Sequence, residues 1–76
     1  MYKQTTITPD GQTRERTIDS EKLIDLLVQL HLLKQGGEDI EIHTNASMEN
    51  SWTWDKITVI RINETGCITT IFDKMD

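Results

Sequence analysis

Between Ile18 and Gly37 the apolar residues recur every three or four positions, which is the spacing of an amphipathic α-helix. Asp19 directly precedes this pattern and can accept hydrogen bonds from the free amides of a first helical turn. Lys34 suits the negative pole of the helix dipole, and Gly36 can adopt the left-handed conformation in which helices end. The pattern therefore predicts a helix that begins at about Ser20 and ends near Gly36.

Two strand-like segments precede the predicted helix. The first runs from Tyr2 to Thr8 and is rich in threonine, and Pro9-Asp10-Gly11 follows it with residues typical of a tight turn. The second runs from Gln12 to Ile18 and is mostly polar on both of its faces. The two segments predict a hairpin in which at least one strand lies at the edge of a sheet.

The residues after the helix predict further strands. From Asp39 to Thr44 isoleucines alternate with polar residues, as in a half-buried strand. The last strand is expected from Cys67 to Phe72, after a short turn at Asn63–Gly66. Residues 73–76 are expected to fray.

The segment from Trp52 to Ile62 follows a polar loop at residues 45–51 and does not alternate strictly. Its apolar set changes parity between Trp54 and Ile57. A bulge near Asp55-Lys56 explains this change within one strand, whereas a tight turn there divides the segment into two strands. We favour one long, bulged strand.

The predicted elements follow one another in the order β-β-α-β-β-β over residues 1–76. Short turns join antiparallel neighbours, and a helix with an apolar face covers one side of a sheet. We therefore expect a single α+β domain, with an antiparallel sheet of about five strands and one helix packed across one face.

The predicted helix carries two apolar faces, although one sheet can bury only one of them. The second face contains Ile24, Val28 and Leu32 at a spacing of four and is bordered by Glu21 and Asp25. Because exposed apolar side chains forfeit burial energy, we expect this face to be covered by the N-terminal hairpin, by a second copy of the chain or by another protein. The first face is the expected core and consists of Leu23, Leu26, Leu27, Leu30 and Leu33.

Trp52 and Trp54 are two residues apart, so on a strand their rings lie on the same face. Tryptophan is enriched at the centres of protein interfaces, whereas a tryptophan on a strand beneath a helix belongs to the core. Both interpretations stay open at this point. The nearby polar loop, which contains Glu49, leaves room for partial exposure of the pair.

The charge of the chain limits the classes of partner. Thirteen acidic and eight basic residues give a net charge of -5, and the basic residues do not cluster in the sequence. We therefore expect no direct binding of nucleic acid, because the phosphate backbone is repelled. The acidic balance suits docking against a basic protein surface, and it also simply favours solubility.

Residues suited to catalysis or metal binding are few. Cys67 with His31 or His43 is the only conceivable pair of nucleophile and base, and Cys67 follows a turn glycine in an apolar strand, as a small buried residue does. The cysteine and the histidines lack the spacing of a metal site, so we expect neither a metal, another cofactor nor enzymatic activity. No secretion signal opens the chain and no apolar run approaches roughly 18 residues, so we expect a soluble, cytoplasmic protein.

The C-terminal part of the chain resembles the phage-encoded uracil-DNA glycosylase inhibitors. Asp39–Thr44 resembles a strand of that family, Ser47–Asn50 its acidic loop, and Val59–Phe72 its terminal hairpin, while Trp52 and Trp54 fall where the family alternates apolar residues. Those inhibitors imitate DNA phosphates with acidic side chains and enclose a protruding apolar side chain of the enzyme between helix and sheet.

The resemblance implies roles for residues of this chain. Glu15 would be an acid on an edge strand, and the residues bordering the enclosed side chain would be Trp52, Trp54, Leu23, Leu26 and Leu27. The target could equally be another nucleic-acid enzyme, as for the small phage proteins that inhibit CRISPR nucleases.

We therefore expect a non-catalytic protein-binding module, of the kind by which a phage or mobile element inhibits a nucleic-acid-processing host enzyme. The alternative is a structural or regulatory homodimer that packs Ile24, Val28 and Leu32 across a two-fold axis. A small hydrolase that uses Cys67 is the third option. The residues expected to contact the partner are Glu15, Ile24, Val28, Leu32, Glu49, Trp52 and Trp54.

Overall fold

The computed structural model describes residues 1–44 and 55–75, and these form five strands and one helix. The strands build one antiparallel sheet in the order β2-β1-β5-β4-β3. The predicted α+β class and the element order β-β-α-β-β-β are thereby confirmed. The elements are β1 (Tyr2–Ile7), β2 (Thr13–Ile18), α1 (Ser20–Gln35), β3 (Asp39–Thr44), β4 (Lys56–Asn63) and β5 (Gly66–Lys74).

The strand β5 lies at the centre of the sheet, between β1 and β4. Tyr2 pairs with Lys74 on one side and Lys56 pairs with Asp73 on the other, and the Met75 amide donates a hydrogen bond of 2.9 Å to the Met1 carbonyl. The predicted fraying is therefore wrong for residues 73–75, because strands on both sides hold this end of the chain. Asp76 lies outside the described residues.

The predicted edge position of the N-terminal hairpin is confirmed, because β2 is the first strand of the sheet. At its end Ile18 is buried, and Asp19 caps α1 by accepting a hydrogen bond of 2.8 Å from the Lys22 amide. Leu23 lies beside Ile18 in the core, so the two residues also fix the direction in which the chain enters the helix. The cap and this apolar contact together place the helix start at Ser20.

The glycine in the left-handed conformation after α1 comes one residue later than predicted, at Gly37. Gly36 keeps a right-handed conformation with φ −75°, whereas Gly37 has φ +103°. The Gly37 amide donates to the Lys34 carbonyl and the Glu38 amide to the Leu33 carbonyl, both at 3.1 Å. This is the Schellman arrangement, in which only a glycine takes the left-handed position without strain, so the assignment of that position to Gly36 is wrong.

Loss of the helix cap has a measurable cost. We expect Asp19→Ala to lower the free energy of unfolding by about 1 kcal/mol, because the amide of Lys22 loses its acceptor. Asp19→Asn keeps an acceptor oxygen and should retain most of the stability in urea unfolding. Asp25→Ala removes an equal charge from an exposed helix position and serves as the control; a loss as large as that of Asp19→Ala would contradict the capping role.

The core lies between α1 and one face of the sheet. Cys67 is exposed, and the prediction that it is a small buried residue is wrong. The reason is register: Phe72 faces the helix, and since strand residues alternate, Cys67 falls on the opposite face. The buried core residues are Tyr2, Ile18, Leu23, Leu27, Ile40, Ile57, Val59 and Phe72.

The structure also gives the exposure of Leu33 and the residue at which β4 begins. Leu33, expected on the core face, is 39% exposed, because it lies in the last turns of α1 beyond the closely packed part of the helix. The regular strand β4 begins at Lys56, and Asp55 precedes it outside the strand. The predicted loop at residues 45–51 lies outside the described residues. The choice between one bulged strand and two concerns the segment from Trp52 to Ile62, whose first residues are also outside them. Both stay predictions.

Candidate partner-binding surfaces

The apolar face of α1 that points away from the sheet is exposed. Ile24, Val28 and Leu32 have exposed fractions of 43%, 53% and 62%, and they follow one another at a spacing of four residues. We call these three residues the outer stripe. The N-terminal hairpin does not cover them, because its strands belong to the sheet, so the first of the three predicted ways of covering this face is wrong.

Acidic side chains border the outer stripe. Glu21 lies one helical turn before Ile24, and Asp25 lies one turn before Val28; both carboxylates are exposed. On the other border the half-buried His31 donates from Nδ1 to the Leu27 carbonyl over 2.7 Å. The outer stripe is therefore an apolar surface with a negative margin, which suits a partner that presents apolar and basic groups together.

The outer stripe is large enough to contribute substantially to binding. Complete burial of a leucine, isoleucine or valine side chain is worth roughly 1.5–3 kcal/mol. Three such side chains in a row on a rigid helix also lose little further conformational freedom on association. The stripe is therefore an exposed apolar surface whose burial would be favourable.

The other predicted contact residues do not join this patch among the described residues. Glu15 lies on the edge strand β2, on the sheet face away from α1, where its carboxylate is 3.4 Å from the ammonium of Lys3. Both side chains are about half exposed, so this ion pair is screened and weak. Glu49, Trp52 and Trp54 lie outside the described residues, and their roles stay predictions.

An apolar groove runs beside α1 on the helix-bearing face of the sheet, and the sequence analysis did not predict it. It has a volume of about 220 Å³ and includes the partly exposed Leu33. The sequence feature that could have indicated this groove is a pair of polar residues, Gln4 and Thr70, at positions of β1 and β5 that face the helix. Its apolar lining consists of Leu26, Leu30, Leu33, Val59, Ile68 and Phe72.

Arginines lie on opposite sides of this groove. Arg16 Nε donates to Gln4 Oε1 over 2.7 Å, and Gln4 itself lines the groove. Arg61, another lining residue, donates from Nη2 to Glu38 Oε2 over 2.8 Å. Arg14 follows on the same face of β2, in a shallower depression that shares Gln4 with the groove.

The turn before β2 holds the carboxylate of Asp10 in hydrogen bonds. The pKa of Asp10 lies below its usual value, first because the Thr8 hydroxyl and then the Gln12 amide donate to its carboxylate, with Arg14 adding a smaller attraction. The hydrogen bonds of the turn itself therefore account for most of this shift.

The nucleophile and base suggested by the sequence are not brought together. Cys67 lies on the sheet face opposite α1, whereas His31 is part of α1. His43 shares the face of Cys67, but strand spacing puts their Cα atoms roughly 16 Å apart, across β4. A nucleophile and its base must be within hydrogen-bonding distance, and neither pair meets that condition.

Residues 1–44 and 55–75 contain no cluster of three or more His, Cys, Asp or Glu side chains able to hold a metal ion. The one helix described in this part of the chain does not have the length and apolar character needed to cross a membrane. No protein-family model, characterised protein sequence or solved structure was found to match the chain.

Proposed function

We propose that this chain is a non-catalytic protein-binding domain that docks through the outer stripe onto a basic surface of another protein. The observation that carries the proposal is the exposure of Ile24, Val28 and Leu32 beside the carboxylates of Glu21 and Asp25. The net charge of -5 supports the same choice of partner, because opposite charge accelerates encounter and penalises acidic competitors.

The partner class that fits best is an enzyme that processes nucleic acid. Such enzymes hold phosphate backbones in grooves lined by lysine and arginine, and an acidic protein competes for these grooves. The resemblance of residues 39–72 to the glycosylase inhibitors of phages supports inhibition as the outcome. On this proposal the chain is encoded by a phage or mobile element and acts in the host cytoplasm.

The proposal is tested by capturing partners from host lysate with the full chain and titrating the partner found by mass spectrometry. We expect a nucleic-acid enzyme whose binding is displaced by duplex DNA and falls as salt rises. Leu32→Glu should weaken binding by at least about tenfold, because it puts a charge into the apolar contact. Ile62→Glu, which alters an exposed isoleucine on the sheet face away from α1, is the matched control.

Two results would count against this function. Capture of metabolic enzymes alone would remove the nucleic-acid partner, and tight binding that ignores salt would remove the electrostatic part of the mechanism. Equal losses for Leu32→Glu and Ile62→Glu would show that the effect is not specific to the outer stripe.

The second candidate is a homodimer in which the outer stripes of two copies pack across a two-fold axis. The exposed apolar stripe favours it, but a two-fold axis parallel to the helices would bring Glu21 and Asp25 of both copies close together, and like charges in a contact are unfavourable. Sedimentation over a range of concentrations separates the two candidates. A monomer at all concentrations removes the dimer, whereas a dimer dissociated by Val28→Glu would replace the first proposal.

A further inference from the structure

We propose that the groove beside α1 is a second docking site, which binds an acidic peptide segment through one apolar anchor side chain and flanking carboxylates. Six of the ten side chains that line the groove are apolar; Arg61 lines one side, and Arg16 borders the other through its hydrogen bond to Gln4. We call it the arginine-bordered groove.

The size of the groove indicates a side chain as its occupant. A volume of about 220 Å³ is below the roughly 300 Å³ at which clefts for small molecules begin. Leu26 and Leu30 form its helical wall, and Phe72 and Ile68 contribute to the sheet side. The polar lining residues are Gln4, Gln29, Thr70 and Arg61. An aliphatic or aromatic side chain of a peptide matches both the volume and the chemistry.

The arginines select the charge of that peptide. A guanidinium has five N–H donors, and the contacts described above use one donor atom of Arg16 and one of Arg61. Arg16 is held by the neutral Gln4 side chain and keeps its full charge for a carboxylate, whereas the charge of Arg61 is already balanced in part by the half-exposed Glu38. Arg14 adds a third positive charge on the same face of β2.

This charge preference is opposite to that of the outer stripe. The two surfaces lie on different flanks of α1. Leu32 belongs to the outer stripe, and the next residue, Leu33, lines the groove. Consecutive helix residues point about 100° apart, so an occupant of the groove leaves the stripe accessible. The proposal therefore stands independently of the function proposed for the stripe.

A nucleic acid is a poorer fit than an acidic peptide. Its affinity would come from many phosphate contacts, whereas the groove has two bordering arginines on a chain of net charge -5. A deep apolar lining is also of little use to a phosphate backbone, although it contributes directly to the binding of an apolar side chain.

The experiment selects peptides without assuming a sequence. A library of random dodecapeptides is displayed against the full chain, with counter-selection against the Leu33→Glu variant, which places a negative charge in the groove. We expect enriched peptides with a net negative charge and at least one large apolar residue. Peptides that are predominantly basic, or an absence of any enrichment, would overturn the proposal.

An enriched peptide is then titrated by fluorescence anisotropy against variants whose folding is verified by circular dichroism. Leu33→Glu should weaken binding at least tenfold, and Arg16→Gln several-fold, whereas Arg16→Lys should be intermediate because it keeps the charge but loses the planar fork. Ile62→Glu, on the sheet face away from α1, is the control and should bind as the unaltered chain does. A matching loss in Ile62→Glu, or displacement of the peptide by a single-stranded oligonucleotide at similar concentration, would contradict the proposed site.

Discussion

Replacing Phe72 by alanine is expected to lower the free energy of unfolding by about 3–5 kcal/mol, the largest loss from any single truncation in this core. Phe72 is 2% exposed, lies on the central strand β5, and faces α1 beside Ile57 of the next strand. A domain of this length has a total stability of roughly 4–11 kcal/mol. The change therefore removes a large share of it, because a fully buried aromatic side chain is lost from the core between the sheet and α1.

Urea unfolding followed by circular dichroism measures this loss, and the neighbouring residue provides the control. Ile71 precedes Phe72 but lies on the opposite face of the sheet and is only half-buried. Ile71→Ala should cost about 1–2 kcal/mol, since less apolar surface is involved. If the two substitutions cost the same, the sheet would be packed equally on both faces, contrary to the structure described here.

Gly66→Ala is expected to destabilise the protein by about 2–3 kcal/mol, for two separate reasons. Gly66 has φ +126°, a conformation that an alanine adopts only with strain of roughly 1–2 kcal/mol. In addition, a Cβ atom at Gly66 would come within 3.0 Å of the Cβ atom of Pro9, in the turn between β1 and β2. Nine in ten real Cβ contacts are longer, so one of the two turns must give by a few tenths of an ångström.

Gly11→Ala separates these two causes. Gly11 also has a positive φ, of +85°, but an added Cβ atom there meets nothing within 4 Å. We expect this control to lose only about 1 kcal/mol, which is the conformational part of the effect. Thermal or urea unfolding of both variants gives the difference. Equal losses would show that the approach of Pro9 to the β4–β5 turn has no energetic consequence.

The sequence predicted the elements well because their signals are local. The cap at Asp19, the helical spacing of the leucines and the glycine-containing turns each involve residues a few positions apart. The face on which a strand residue lies is different, because runs such as those of β4 and β5 have isoleucines at both parities. Only pairing with β1 and packing against α1 decide that Phe72 is inside and Cys67 outside.

The two candidate surfaces differ in the same way. The outer stripe could be predicted because it depends on the periodicity of a single helix. The arginine-bordered groove could not, because Arg16 meets Gln4 through pairing of β1 with β2, and Arg61 reaches the other side through pairing of β4 with β5. Arg16 and Arg61 are 45 positions apart in the sequence, so the sequence does not indicate that they border the same groove.

The two outermost strands are protected against adding further strands. On β2, Arg14, Glu15 and Arg16 alternate in charge along the free margin, and on β3, Asp39 and Glu41 are exposed. Charged side chains at such margins make strand-to-strand aggregation costly, because a neighbouring chain would have to bury or match each of them. We expect the protein to resist fibril formation and to stay dispersed at high concentration, even with an uncovered row of aliphatic side chains on its helix.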